Sequence, residues 1–183
     1  MEKVGRKAHG VENNGGCLDR QNGLYFREHF FLSLGNELVR LDRYQKALGL
    51  LAFRFLTPEP AWEEIGPKIN LSLGSCDQAA RLDDTLGAIL LPESDAGKAA
   101  RVLGDLNRDL GPQVEYGLAL IWPGHMGTAD LLLARATQNM AGFEKAMKNL
   151  TDEHGPWSAR NTALILAEKE SLFEGFGQLL ADV

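Results

Sequence analysis

The chain has 183 residues, 44% of them hydrophobic and 24% charged, which suits one globular domain with a core large enough to fold unaided. A formal net charge of -6 argues against a nucleic-acid backbone as partner, because that binding rests on clustered Lys and Arg. No stretch is long and apolar enough to span a membrane and the N-terminus lacks a signal-peptide apolar region, so the cytoplasm is the expected compartment and no membrane partner is expected.

Residues 1–16 are polar and Gly/Asn-rich and read as a flexible leader. Phe26, Phe30, Leu34, Leu38 and Leu41 then recur at three- and four-residue steps, predicting a helix to about Tyr44 with one apolar stripe. The run Gly49 to Phe55 suits a buried strand. Trp62, Ile65, Ile69 and Leu73 step as a second helix, in which Pro67 predicts a kink or a late start. Ala79 to Leu82 and Ala88 to Leu91 are short strand candidates around Asp83, Asp84, Thr85 and Gly87, the composition of a hairpin turn. Ser94 or Asp95 can cap a helix whose inner face is Ala99, Leu103, Leu106 and Leu110. Val114 to Trp122 reads as the next strand, and Thr128 can cap a helix carrying Leu132, Ala136, Met140, Phe143 and Met147. After the polar break at 151–156, Ser158 can cap a last helix. Hairpin pairing in the middle and alternating helices elsewhere predict a mixed sheet with helices packed on it.

Cys17 and Cys76 have no CxxC or metal-type spacing and are expected to be reduced thiols, Cys76 partly buried. His9, His29, His125 and His154 have no metal-ligand spacing, and Gly-rich phosphate loops and a GxSxG elbow are absent. Asp83 with Asp84, and Glu63 with Glu64, are adjacent carboxylate pairs, and a solvated polar turn is the expected role of the first. Trp62, Trp122 and Trp157 are spaced like core or cap anchors, the first two expected in the core. Neither a metal nor a cofactor is expected.

Five segments, taken in order, resemble the GGDEF family of diguanylate cyclases. Asp19, Gly23, Leu24, Arg27 and Phe30 match the family's opening run D-x-L-T-G-L-x-N-R-R-x-F. LVRLDRYQKALGLLAFRF resembles the following helix end and first strand, ARLDDTLGAILLPESD the signature hairpin ARYGGDEFAILLPETD, VEYGLALIWP the strand VSIGVAxxP, and ADLLLARATQNM the helix AEELLRRADxAL. The resemblance spans about Asp19 to Met147. It implies an α+β fold, a palm-like and mostly antiparallel sheet flanked by helices, with a domain over 17–148 and a C-terminal helical extension over 149–183.

The residues that carry chemistry in that family are replaced. Cyclisation of GTP there needs two carboxylates holding divalent metal over the triphosphate. The resemblance puts Phe53 or Arg54, depending on register, where the first should be. It puts Asp83 and Asp84 on the two signature glycines, Thr85 on the acidic third residue, Leu86 on the fourth and Gly87 on the Phe. Two Asp side chains add bulk and negative charge where a triphosphate would rest, a repulsion of about 1 kcal/mol or more each. Residues 56–61 are too few for the family's guanine- and phosphate-recognising loop. The inhibitory R-x-x-D motif falls on Gly74 and Asp77, so the guanidinium is missing. No catalytic residue is therefore assigned, and tight nucleotide binding is not expected.

The last segment carries Ile165, Leu172, Phe173, Phe176, Leu179 and Leu180 on one helical stripe. It is read either as packing back on its own domain or as a dimerising or partner-binding helix. The expectation is a catalytically inactive module that binds a protein partner or itself. A non-catalytic effector of GTP or cyclic di-GMP and a residual diguanylate cyclase are the alternatives.

Overall fold

A computed structural model describes residues 16–124 and 127–154. The order is α1 (Arg27–Tyr44), β1 (Leu48–Phe55), α2 (Trp62–Leu71), β2 (Gln78–Arg81), β3 (Leu86–Pro92), α3 (Ala96–Leu110), β4 (Val114–Ile121), α4 (Ala129–Gln138) and α5 (Phe143–His154). The four strands form one sheet in the order β2-β3-β1-β4, and every strand pairing in it is antiparallel. Alternating helices had pointed to a mixed sheet. Antiparallel pairing, which the family resemblance implies, is what the chain adopts, and its only parallel contact among the described residues is an isolated bridge between Tyr25 and Ala80.

Period-two alternation places the core on both sides of this sheet. Leu51, Phe53 and Phe55 of β1 point to one layer with Trp62 and Ile69 of α2, Val102 and Leu106 of α3 and Leu150 of α5. Leu50 and Ala52 point to the other, with Phe30 and Leu34 of α1 and Leu132 and Ala136 of α4. With helices on both faces, β1 is buried along its length except at Arg54, which is why it reads as an unbroken apolar run. Each fully buried Leu or Phe contributes about 1.5–3 kcal/mol relative to exposure.

Asp95, not Ser94, caps α3: its Oδ1 accepts from the Lys98 amide at 2.7 Å, while Ser94 is buried and bonds the backbone of Ala47 and Asp95. Thr128 caps α4 as expected, accepting from the Leu131 amide at 3.3 Å. The opening run folds into a knot before α1, in which Asp19 takes the Gln21 amide and the Asn22 side chain, and Asn22 takes the Leu24 amide. Gly66 of α2 lies directly on the Asn22 carbonyl, where any Cβ would collide. That contact and the 3.0 Å bond from Asn70 to Gly23 pin the knot to α2.

Several sequence expectations are corrected. The helix after Thr128 is two helices: α4 stops at Gln138, and Ala141 exchanges two backbone hydrogen bonds with Tyr116 on the outer edge of β4 (2.8 and 2.9 Å) before α5 starts. Pairing that edge is worth more than continuing past Asn139 and toward Gly142, both poor helix formers. The second helix starts at Trp62 and runs through Pro67, which sits exposed on its surface. The hairpin turn is tighter than expected, since Leu86 and Gly87 already belong to β3. Cys76 is exposed, as is Cys17, because it sits in the loop ahead of β2. Trp62 is in the core and Trp122 is half-buried. The proposed interaction helix with Ile165, Leu172, Phe173, Phe176, Leu179 and Leu180, the residue Trp157 and the leader lie outside the described residues. Helix α5 runs across positions 148 and 149.

Candidate functional site

The β2–β3 hairpin carries the residues that the resemblance singled out. At its tip the chain closes through Leu82 and Asp83 amides donating to the Leu86 carbonyl at 2.8 and 3.2 Å. Asp83 turns inward on its own backbone: Oδ1 accepts from the amides of Thr85 (2.8 Å) and Leu86 (2.7 Å). This is the local bond that makes Asp a turn former. Asp84 turns outward. Its side chain is 91% exposed and pairs with Arg81 at 2.8 Å. The Asp84 carbonyl accepts from the Trp62 indole at 2.9 Å, and the Arg81 guanidinium lies over the Trp62 ring. The two carboxylates thus have separate partners, in keeping with a solvated polar turn.

Beside the tip, β1 ends without a carboxylate. Phe53 faces Gly87 across the strand pair, and its ring occupies the volume that a Cβ on Gly87 would need. The signature Phe is Gly here, and a Phe on the neighbouring strand fills the gap. Phe53 also packs on Phe55 and Trp62, with ring centres 5.9 and 6.1 Å away. Arg54 points to the opposite face, exposed, across from Leu86 and Glu115. From Phe55 the chain reaches α2 through residues 56–61 alone.

The base of the hairpin is different. Asp77 has a side chain only 1% exposed, and both oxygens are engaged: Oδ1 with Lys98 Nζ at 2.6 Å and Oδ2 with the Gly74 amide at 2.9 Å. Lys98 also donates to the Pro92 carbonyl at 2.9 Å. The acid retained from the R-x-x-D pattern is therefore held by a lysine of α3 and by the backbone of Gly74 itself. Lys98 escaped the sequence reading because no local pattern ties position 77 to position 98. Arg81 was equally silent, although its place three residues before Asp84 was visible.

On the same sheet face, Tyr116 is fully buried with a hydroxyl that has no partner among the described residues, and burial pushes its phenol up from the ordinary value. Gln78 Oε1 is likewise buried and unpaired. Among the described residues no three His, Cys, Asp or Glu side chains gather as a metal site would require, and no helix is long and apolar enough to cross a membrane.

No protein-family model and no curated protein matches the sequence. Solved structures match the fold. The GGDEF domain of FimX from Pseudomonas aeruginosa aligns with 73% of this chain and 95% of its own, at 15% identity and a TM-score of 0.59. The GGDEF domain of DgcB from Caulobacter crescentus, solved in complex with c-di-GMP, aligns with 73% of this chain and 90% of its own, at 17% identity and a TM-score of 0.58. The diguanylate cyclase SiaD of Pseudomonas aeruginosa, solved with its activator SiaC, aligns over 73% of this chain and 59% of its own, at 16% identity and a TM-score of 0.60. At these identities the likeness is one of fold, and that fold is the GGDEF one.

Proposed function

We propose that this chain is a catalytically silent module on the GGDEF fold, working in the cytoplasm through protein contacts and not through GTP turnover. The observation that carries the reading is the chemistry at the end of β1: a core phenyl ring at Phe53 and an exposed guanidinium at Arg54, beside a turn whose third residue is Thr85. A divalent cation wants several oxygen donors, preferably anionic. The set here offers one hydroxyl and a positive charge, while of the turn's two carboxylates Asp83 already accepts two amides and Asp84 is paired with Arg81. These residues do not fit the metal that the fold family implies.

The hairpin base supports the same reading. Asp77, with both oxygens engaged inside the fold and its side chain 1% exposed, is poorly placed to accept from a guanine edge, and its charge repels a phosphate. The complex of SiaD with SiaC gives a precedent on this fold for regulation by a bound protein.

Incubation with GTP and Mg²⁺ or Mn²⁺, followed by chromatography, is expected to yield no cyclic product. Calorimetric titration with GTP and with cyclic di-GMP is expected to show no binding tighter than about 1 μM. A steady cyclase rate abolished by Asp83→Ala or Asp84→Ala would overturn the reading in favour of an enzyme. Submicromolar cyclic di-GMP binding would overturn it in favour of an effector.

A further inference from the structure

The outer face of α1 is chemically out of place on a surface. Glu28, Leu32, Gly35, Val39 and Arg43 follow at steps of four, three, four and four residues, which puts them on one side of a helix. That side lies opposite the buried Phe30, Leu34 and Leu41. Leu32 is 63% and Val39 72% exposed, among the more exposed large apolar residues described. Gly35 sits between them in the helix interior, where glycine is disfavoured, yet a Cβ there would meet nothing within 4 Å. Nothing among the described residues needs that position small. A second helix crossing at this point would.

We propose that the outer face of α1 is the contact between two copies of this chain, crossing antiparallel about Gly35 and Asn36. Residue spacing and charge select this occupant. Leu32 with Val39, and Glu28 with Arg43, are both centred on the bond between residues 35 and 36. A twofold antiparallel crossing therefore sets Leu32 against the partner's Val39 and Glu28 against the partner's Arg43, each contact occurring twice, as an isologous interface requires. Neither Glu28 nor Arg43 has an ion-pair partner among the described residues. The face thus offers apolar residues at its middle, opposite charges at its two ends, and a glycine at the crossing where two helix backbones come closest. Beside it, Leu38, Ile121 and Leu131 line an apolar cleft between α1 and α4, so the apolar area continues past one helix. One helix pair is a small interface, which implies a reversible dimer.

The proposal names a partner for the interaction module above and rests on that reading. The two fail separately: a monomer that leaves GTP untouched removes only the dimer, and a dimer that cyclises GTP removes only the silence.

The test is sedimentation equilibrium of the full chain over a concentration series. The wild type is expected to approach twice its 20.1 kDa mass. Leu32→Glu and Val39→Glu, both on an exposed face, are expected to leave the circular dichroism unchanged and raise the dissociation constant at least tenfold. Glu28→Arg and Arg43→Glu are each expected to raise it by roughly fivefold, as exposed ion pairs do. Mixing those two single variants is expected to restore dimerisation, because the mixed pair is complementary at both ends. A wild type that stays monomeric up to its solubility limit overturns the proposal, as does a dimer indifferent to Leu32→Glu, or one whose charge variants fail to recover on mixing. A photocrosslinker at position 32 is expected to capture the partner's region around Val39. Capture of residues 155–183 of the same chain instead would assign the face to the chain's own tail and overturn the dimer.

Discussion

The β2–β3 hairpin carries an ion-paired Asp at each end, and the two are not equivalent. Asp84 at the tip and Asp77 at the base hold their cations at 2.8 and 2.6 Å, lengths that differ little. Their surroundings differ greatly: the Asp84 side chain is 91% exposed and that of Asp77 is 1% exposed. Water competes freely for the first pair but reaches the second only from the partly exposed Lys98 side, so the tip is replaceable and the base is structural. Between them, the Phe53–Gly87 contact shows a third condition, in which bulk has moved from one strand to its neighbour and no polar atom is involved.

The largest expected effect breaks that dry middle. Phe53→Ala removes a fully buried ring from its edge-on and tilted contacts with Phe55 and Trp62 and is expected to cost about 3–5 kcal/mol in urea unfolding. Gly87→Phe, with Phe53 still in place, is expected to cost at least as much as typical overpacking, about 1–3 kcal/mol. Combining Gly87→Phe with Phe53→Ala is expected to recover part of the loss, because the ring then enters from the other strand. A double variant no more stable than the worse single one would show that the two positions do not share one volume.

Next comes the base. Asp77→Ala strips Lys98 of its carboxylate and the Gly74 amide of its acceptor, and is expected to cost about 2–3 kcal/mol by the same measurement. The tip sharpens the contrast. Asp83→Ala loses two amide bonds and is expected to cost about 1 kcal/mol. Asp84→Ala is expected to cost less than about 0.5 kcal/mol and to become indistinguishable from wild type in high salt. An Asp84 variant as damaged as the Asp77 one would mean that pair length, not burial, decides.

Tyr116 adds a pH dependence with a definite sign. Its folded-state pKa is raised by burial, so below about pH 10 both states hold the phenolic proton and nothing changes. Above about pH 10 the unfolded state releases that proton while the folded state retains it, and stability falls as pH rises. Tyr116→Phe is expected to remove this alkaline slope and to alter stability near neutral pH by no more than about 1 kcal/mol, since the hydroxyl it deletes has no partner among the described residues. A slope that survives the substitution would assign the titration to another group.

Local chemistry alone determined much of this protein. The 3.6-residue stripe of Phe30, Leu34 and Leu41, the apolar run of β1, the Thr128 cap and the Asp-rich turn were all readable, because each depends on residues within one or two turns of one another. The ordered series of weak motifs carried the GGDEF fold as well. What the tertiary structure decided involves residues far apart in the chain. Lys98 meets Asp77 only because folding brings the first turn of α3 to the loop ahead of β2. Ala141 leaves the helix for the two hydrogen bonds that the edge of β4 offers, at a point where Asn139 and Gly142 already weaken it. Phe53 settles into the core, and Arg54 outside it, only once the strand pairing fixes which face each one takes. In each case a contact or a face set by folding decides what local preference leaves open.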